Sequence, residues 1–85
     1  MVSVYVLRSL KSGKHYIGMS KDPKQRLSQH NRGKTRFTKG HIPWKLIHTE
    51  PYPDLASARK MEKYYKTSRG REKLKKILMS KGISW

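Results

Sequence analysis

Any fold of this chain must spread a large positive charge over a small surface. Its 85 residues contain 21 Lys and Arg against five Asp and Glu, for a formal net charge of +16. Charge of one sign at this density destabilises a compact state by self-repulsion, and a polyanionic partner relieves that repulsion. We therefore expect basic surfaces that bind nucleic acid. A membrane surface is the weaker alternative, because no segment pairs a basic helix face with a broad Trp, Phe and Leu face.

Length and composition exclude several other classes. A chain of 85 residues forms one domain, residues 1–85, and it has no cysteine for disulfides or thiolate metal sites. No apolar run approaches the ~20 residues that span a bilayer. The first residues are apolar but lack a preceding basic region and a small-residue cleavage site, so they predict a buried strand and no signal peptide. We expect a soluble, cytoplasmic protein.

The first half of the chain predicts a hairpin followed by a helix. Residues 2–8 alternate, with the valines on one side and Ser3, Tyr5 and Leu7 on the other. A turn at Gly13 leads to a second strand over residues 15–19, antiparallel to the first. Asp22 then caps a helix that runs from Pro23 to about residue 31, and Gly33 ends it. Residues 34–42 have no clean period and predict a basic loop.

The second half predicts a third strand and two helices. Pro43 opens the strand, in which Trp44, Leu46 and His48 share one side, and the prolines at 51 and 53 argue against its continuation. Asp54 caps the next helix, a last helix starts near residue 70, and the end of the chain folds back. The predicted class is α+β, a small three-stranded antiparallel sheet flanked by helices in the order β-β-α-β-α-α.

The five acids can be assigned one by one. Two aspartates are explained as helix caps, and Glu72 pairs with nearby lysines on its helix. Glu50 has bases around it. Ion pairs with Lys66 and Arg59 would explain Glu62 by itself, yet it is the one carboxylate left in place for a metal.

Several polar residues fall where they could act together. Tyr5 and Tyr16 lie on adjacent strands, opposite the valines, and Arg26 and His30 share a helix face one turn apart. A carboxylate that binds Mg²⁺ or Mn²⁺, an arginine on the phosphate and a Tyr or His that deprotonates water form a set suited to phosphodiester hydrolysis. Each residue alone has an ordinary explanation. The tyrosines are good strand formers, and Arg26 would be one of many cations that contact phosphate. His30 would be a solvated helix residue, as His15, His41 and His48 would be solvated elsewhere.

These residues also carry a family resemblance. Ser3-Val4-Tyr5, Tyr16-Ile17-Gly18, Arg26 with His30-Asn31, and Glu62 resemble the motifs of the GIY-YIG nuclease family in order and spacing. The likeness extends over about residues 2–80. It is greatest to small stand-alone bacterial members, which are related to the N-terminal domain of the excision-repair nuclease subunit and to homing endonuclease catalytic domains.

The resemblance implies a role for each matched position. Tyr5 corresponds to the general base or water-positioning phenol, and Tyr16 to the tyrosine near the scissile phosphate. Gly18 lies where the family needs close backbone approach. Arg26 corresponds to the phosphate-stabilising arginine and His30 to the histidine near the base, while Glu62 corresponds to the metal ligand. The implied function is a metal-dependent endonuclease acting on DNA, with branched or damaged DNA as a substrate class.

Departures from the family pattern keep an alternative open. The first motif is Ser-Val-Tyr in place of Gly-Ile-Tyr, Met19 stands where some members carry a lysine, and no Asn follows the metal helix. A non-catalytic nucleic-acid-binding module with the same fold is therefore the second hypothesis. A ribosome- or RNA-associated protein is the third, although Phe37 alone in the basic loop is a thin platform for stacking bases.

The predicted phosphate-contacting surface lies in the basic loop and around the last helix. Each contact should steepen the salt dependence of binding by about one unit of log–log slope. The candidates are Arg32, Lys34, Arg36, Lys39, Lys66, Arg69, Arg71, Lys73, Lys75 and Lys76.

Overall fold

A computed structural model describes the whole chain, Met1–Trp85, as a three-stranded antiparallel sheet with helices on both faces. This confirms the predicted fold class. No helix combines the length and the apolar character needed to cross a membrane. The elements in chain order are β1 (Val2–Ser9), β2 (His15–Ser20), α1 (Pro23–Asn31), α2 (Arg36–Lys39), β3 (Trp44–Tyr52), α3 (Leu55–Tyr65) and α4 (Ser68–Ser80).

The central position of β1 creates two cores. The strand order is β2-β1-β3, so β1 is hydrogen-bonded on both sides and its alternating residues are buried on both faces. The valines pack under α3 and α4, in a cluster with Ala58, Leu74 and Leu78. On the opposite face Tyr5 and Leu7 pack with residues that include Trp44, Leu27 and Ile42. We call these the valine face and the tyrosine face.

The predicted start and end of α1 are confirmed. A carboxylate oxygen of Asp22 accepts from the Gln25 backbone N–H at 3.2 Å, and Pro23 takes the first helical turn. The helix ends at Asn31, followed by Gly33 at φ +76°, where a side chain would be strained. These local signals place α1 across the tyrosine face.

Two expectations for β3 are wrong. The strand continues through Pro51 to Tyr52, because β3 is an edge strand and its proline need not donate to the sheet. A β-bulge at the Val6/Leu7 step leaves Ile47 without an opposite residue in β1, so His48 lies on the valine face. It therefore does not share a side with Trp44 and Leu46, as alternation alone had predicted.

The two basic segments also differ from expectation. The predicted loop over 34–42 contains the one-turn helix α2. Helix α4 begins at Ser68, and the Thr67 side chain caps it by accepting from the Gly70 N–H. Close packing requires glycine at position 70, because a Cβ there would lie 1.7 Å from the backbone oxygen of Tyr64. This close approach fixes the α3–α4 corner.

Candidate active site

Two tyrosines and a glycine form the floor of the candidate site. Tyr5 is 1% exposed, and its ring centroid lies 6.2 Å from that of Tyr16 on the neighbouring strand. Gly18 pairs directly with Tyr5 across the sheet. A Cβ on Gly18 would lie 2.6 Å from the phenol oxygen of Tyr5 and 3.0 Å from the ring of Tyr16. Only glycine lets both rings lie over this strand.

The phenol of Tyr5 leads into a buried hydrogen-bond chain. Its oxygen lies 3.1 Å from Nε2 of His30, whose Nδ1 lies 2.8 Å from the hydroxyl of Thr38. Thr38 has one hydroxyl proton, and it donates to the carbonyl oxygen of Thr35 at 3.3 Å. We therefore assign the proton of His30 to Nδ1, which donates to the Thr38 oxygen and leaves Nε2 as the acceptor for the Tyr5 hydroxyl. His30 and Thr38 are both fully buried.

Both groups of this pair are held in their neutral forms. Burial raises the pKa of Tyr5, outweighing the opposing effect of the Arg26 guanidinium beside it. Burial also lowers the pKa of His30, and the charge of Arg26 lowers it further. At neutral pH the pair is a phenol that donates to an unprotonated imidazole.

Arg26 and Glu62 act on the same phenol with opposite charges. Arg26 is half-buried on α1 and donates through Nη1 to Oε1 of Gln29 at 2.5 Å. Glu62 lies on α3, and its negative charge contributes to the raised pKa of Tyr5. Its side chain is 17% exposed and lies 3.6 Å from Nζ of Lys66. The structure thus brings Tyr5, Tyr16, His30 and Arg26 together, and Glu62 lies near enough for its charge to act on Tyr5.

The carboxylate of Glu62 suits a hard divalent cation that takes few ligands from the protein. No group of three or more His, Cys, Asp or Glu side chains could hold a metal, so a dedicated multi-ligand site is absent. Mg²⁺ needs no such group, since it commonly binds one or two carboxylates together with waters and substrate phosphates. The contact of Glu62 with half-exposed Lys66 leaves coordinating capacity on the carboxylate.

Asn31 and Thr38 hold the tyrosine-face layer in place. The Asn31 amide bonds both backbone groups of Trp44, accepting from its N–H at 2.7 Å and donating to its C=O at 3.1 Å. The indole N–H of Trp44 donates to the backbone oxygen of Thr38 at 2.9 Å. These bonds tie α1, α2 and β3 around His30. Asn31 stood in a recognised motif, whereas no sequence signal marked Thr38.

A second partly buried carboxylate, that of Glu50, lies on the valine face. Glu50 accepts hydrogen bonds from Tyr52 at 2.7 Å, from Tyr65 at 2.8 and 2.9 Å and from His48 at 2.8 Å. Burial alone would raise its pKa, but these three partners lower it to about 2. Of the expected pairing of Glu50 with surrounding bases, only the contact with His48 is present. The expectation that His48 is solvated is wrong, because this residue is 7% exposed.

His15 is also not a freely solvated side chain. Its ring stacks on that of Trp85, with centroids 3.8 Å apart and planes 12° apart. Ile83 and Trp85 pack against the valine-face cluster. The prediction that the chain end folds back is confirmed, and it lies beside β2.

The predicted phosphate-contacting residues are all exposed. Arg32, Lys34, Arg36 and Lys39 surround α2, while Lys66, Arg69, Arg71, Lys73, Lys75 and Lys76 surround the start of α4 and its exposed face. Of these ten, only Lys66 forms an ion pair. Phe37 appeared to have no aromatic neighbour in the sequence, but its ring centroid lies 6.1 Å from that of Tyr16. Helix α2 therefore borders the candidate site.

Comparisons with known proteins agree with this fold. A model of the GIY-YIG catalytic domain matches residues 1–76. The chain is 33% identical over 79 residues to a UPF0213 protein of Streptococcus agalactiae, covering 92% of this chain and 89% of that one. A UPF0213 protein of Xanthomonas axonopodis is 30% identical over 76 residues, which are 88% of this chain and 66% of the relative.

A solved structure shows the same likeness. The solution NMR structure of a UPF0213 protein from Bacillus halodurans superposes with a TM-score of 0.54 at 31% identity, over 91% of this chain and 85% of that one. Fold and motif order together define a nuclease-type α+β domain. The chain belongs to the GIY-YIG family.

Proposed function

We propose that this protein is a metal-dependent endonuclease that hydrolyses DNA phosphodiester bonds with Mg²⁺ or Mn²⁺. GIY-YIG domains are typically endonucleases, and such nucleases generally use divalent metal ions. Branched or damaged DNA is the substrate class that the family likeness suggests. A single site cuts one strand per engagement, so a double-strand break needs two protomers or two encounters.

The observation that carries this proposal is the buried hydrogen bond between Tyr5 and His30. Because the Tyr5 hydroxyl donates to Nε2 of His30, its oxygen can accept a hydrogen bond from a water molecule. As that water attacks phosphorus, its proton passes to the Tyr5 oxygen while the phenol proton passes to His30. The lowered pKa of His30 keeps the imidazole free to receive this proton at neutral pH.

The remaining residues would handle the phosphate. Arg26 supplies a planar cation that stabilises the charge developing on the phosphate oxygens, and Tyr16 packs beside the reacting group. Glu62 would hold the divalent cation, which when bound neutralises a phosphate oxygen and stabilises the leaving oxygen. The exposed cations of α2 and α4 would grip the flanking backbone.

A plasmid-nicking assay with matched glutamate variants tests the proposal. Glu62→Gln should reduce metal-dependent nicking by about 100-fold or more, whereas Glu72→Gln, on the exposed surface of α4, should leave it unchanged. Arg26→Ala should abolish cutting while retaining most DNA affinity, since many other cations contact phosphates. Nicking by Glu62→Gln and Arg26→Ala at the wild-type rate would refute the assigned site.

A non-catalytic nucleic-acid-binding module is the second candidate. The nine exposed cations without an ion pair favour it, because they exceed what one active site needs. The absence of an Asn beyond the metal helix favours it too. Tight, salt-sensitive binding with no metal-dependent product on plasmid, branched or single-stranded DNA would establish this alternative. Preference for RNA over DNA at equal salt would instead indicate an RNA partner.

A further inference from the structure

An open pocket adjoins the candidate active site along the edge of β2. It has a volume of about 300 Å³, at the lower end of the range for small-ligand sites. Because β2 is an edge strand, side chains from both layers of helices meet there. The lining residues are His15, Tyr16, Ile17, Phe37, Lys66 and Arg71.

One wall of this pocket is an aromatic surface presented to solvent. Phe37 is 60% exposed, and its ring lies 6.1 Å from that of Tyr16 at an angle of 36°. Its neighbour Thr38 is fully buried and bonded to His30 and Thr35, which holds α2 in position. An exposed ring on a fixed support is suited to stacking against a nucleobase, a contact that tolerates any base.

The other wall is cationic. Lys66 and Arg71 are both exposed, and no acidic residue lines the pocket. The nearby carboxylate of Glu62 already faces Lys66. Two cations opposite an aromatic wall match a single nucleotide, with the base on the rings and the phosphate on the cations.

We propose that this pocket binds one unpaired base of the DNA substrate, stacked on Phe37, with the adjoining phosphate held by Lys66 and Arg71. That this base neighbours the bond to be cut rests on the proposed function, because Tyr16 belongs to both sites. A base inside a duplex must leave its stack to enter such a pocket, which costs free energy that an already unpaired base does not incur. The pocket therefore selects DNA with an unpaired nucleotide, as in a flap, gap or junction.

The test measures binding without cutting. Full-length protein in EDTA is titrated into flap DNA that carries 2-aminopurine at the first unpaired position, and into a fully paired duplex with the same label. The wild type should bind the flap more tightly and quench its fluorescence. Phe37→Leu should bind the flap about tenfold more weakly, the loss expected for one base–aromatic stack, and should change duplex binding by less than twofold.

Two further variants complete the design. Phe37→Tyr keeps the ring and should retain flap binding and quenching. Leu55→Ala removes another exposed apolar side chain, outside the pocket, and should behave as wild type. Equal effects of Phe37→Leu on flap and duplex, or no effect on either, would overturn the proposal.

The outcomes separate this proposal from the nuclease proposal. If the protein never nicks DNA but Phe37→Leu loses flap selectivity in EDTA, the base pocket stands and the nuclease proposal fails. If Glu62→Gln abolishes nicking but Phe37→Leu binds flap DNA as wild type does, the nuclease stands and the base pocket fails.

Discussion

Replacement of Gly18 by Ala tests whether the position of the Tyr5 phenol controls catalysis. The added methyl would lie 2.6 Å from the phenol oxygen, whereas ordinary contacts begin at 3.4 Å, so the oxygen must move by about 0.8 Å. Tyr5 is 1% exposed and bonded to His30 at 3.1 Å, so it cannot yield freely. We expect the nicking rate to fall about 100-fold, the cost of a misplacement near 1 Å at a reacting centre.

The same substitution should also lower the free energy of unfolding, so the fraction of folded protein must be measured beside the rate. Overpacking by one methyl typically costs about 1–3 kcal/mol, which urea unfolding can measure. Gly40→Ala is the matched control, because Gly40 has φ −79° and nothing within 4 Å of its added Cβ. It should leave both nicking and unfolding unchanged.

A double-mutant cycle shows whether the effect passes through Tyr5. Tyr5→Phe removes the phenol oxygen and should itself lower the nicking rate. In that background Gly18→Ala should cost less activity than it does in the wild type, because the phenol oxygen is already gone and only the contacts with the two aromatic rings remain. Full additivity of the two losses, or wild-type nicking by Gly18→Ala, would refute the assigned role of the Tyr5 oxygen.

Two further predictions concern groups bonded inside the fold. Glu50→Gln should destabilise the protein by about 2 kcal/mol at pH 7: lowering a pKa from 4.5 to about 2 corresponds to roughly 3 kcal/mol, reduced by solvent screening. Because the folded-state pKa of Glu50 is the lower one, this stability is present above about pH 4.5 and is lost as the pH falls toward 2. The free energies of unfolding of wild type and variant, measured in urea, should therefore converge at low pH. A constant difference between them would contradict this account. Thr38→Val removes the acceptor for Nδ1–H of His30, so it should lower the nicking rate about tenfold and alter the pH profile of nicking. Thr38→Ser keeps a hydroxyl and should restore the rate and the profile. An unchanged pH profile in Thr38→Val would show that Thr38 is only structural.

The sequence predicted those parts of the fold that local signals determine. Asp22 and Pro23 mark the start of α1 through a cap and a fixed φ, and both act within one turn of the chain. Strand alternation placed Tyr5 opposite the valines, since side chains of a strand alternate between faces. The ordered motifs supplied the family, which the match over residues 1–76 confirmed.

The parts that the sequence missed depend on contacts between distant segments. The bulge at Ile47 arises from pairing with β1, so counting along β3 alone placed His48 on the wrong face. Phe37 appeared isolated because its partner Tyr16 is far away in sequence. Thr38 has no motif of its own, and its contact with His30 exists only once α2 has packed on α1.

The two partly buried carboxylates show why Glu62, and not Glu50, is the proposed metal ligand. The oxygens of Glu50 already accept from three side chains, so a cation there would have to displace them. Glu62 has a single ionic neighbour, at 3.6 Å, and that neighbour is half exposed and able to move away. In a chain of charge +16, free carboxylate capacity is scarce. Glu62 is also the carboxylate whose charge acts on the Tyr5 phenol, and a divalent cation held there would separate a cutting site from a surface that only binds.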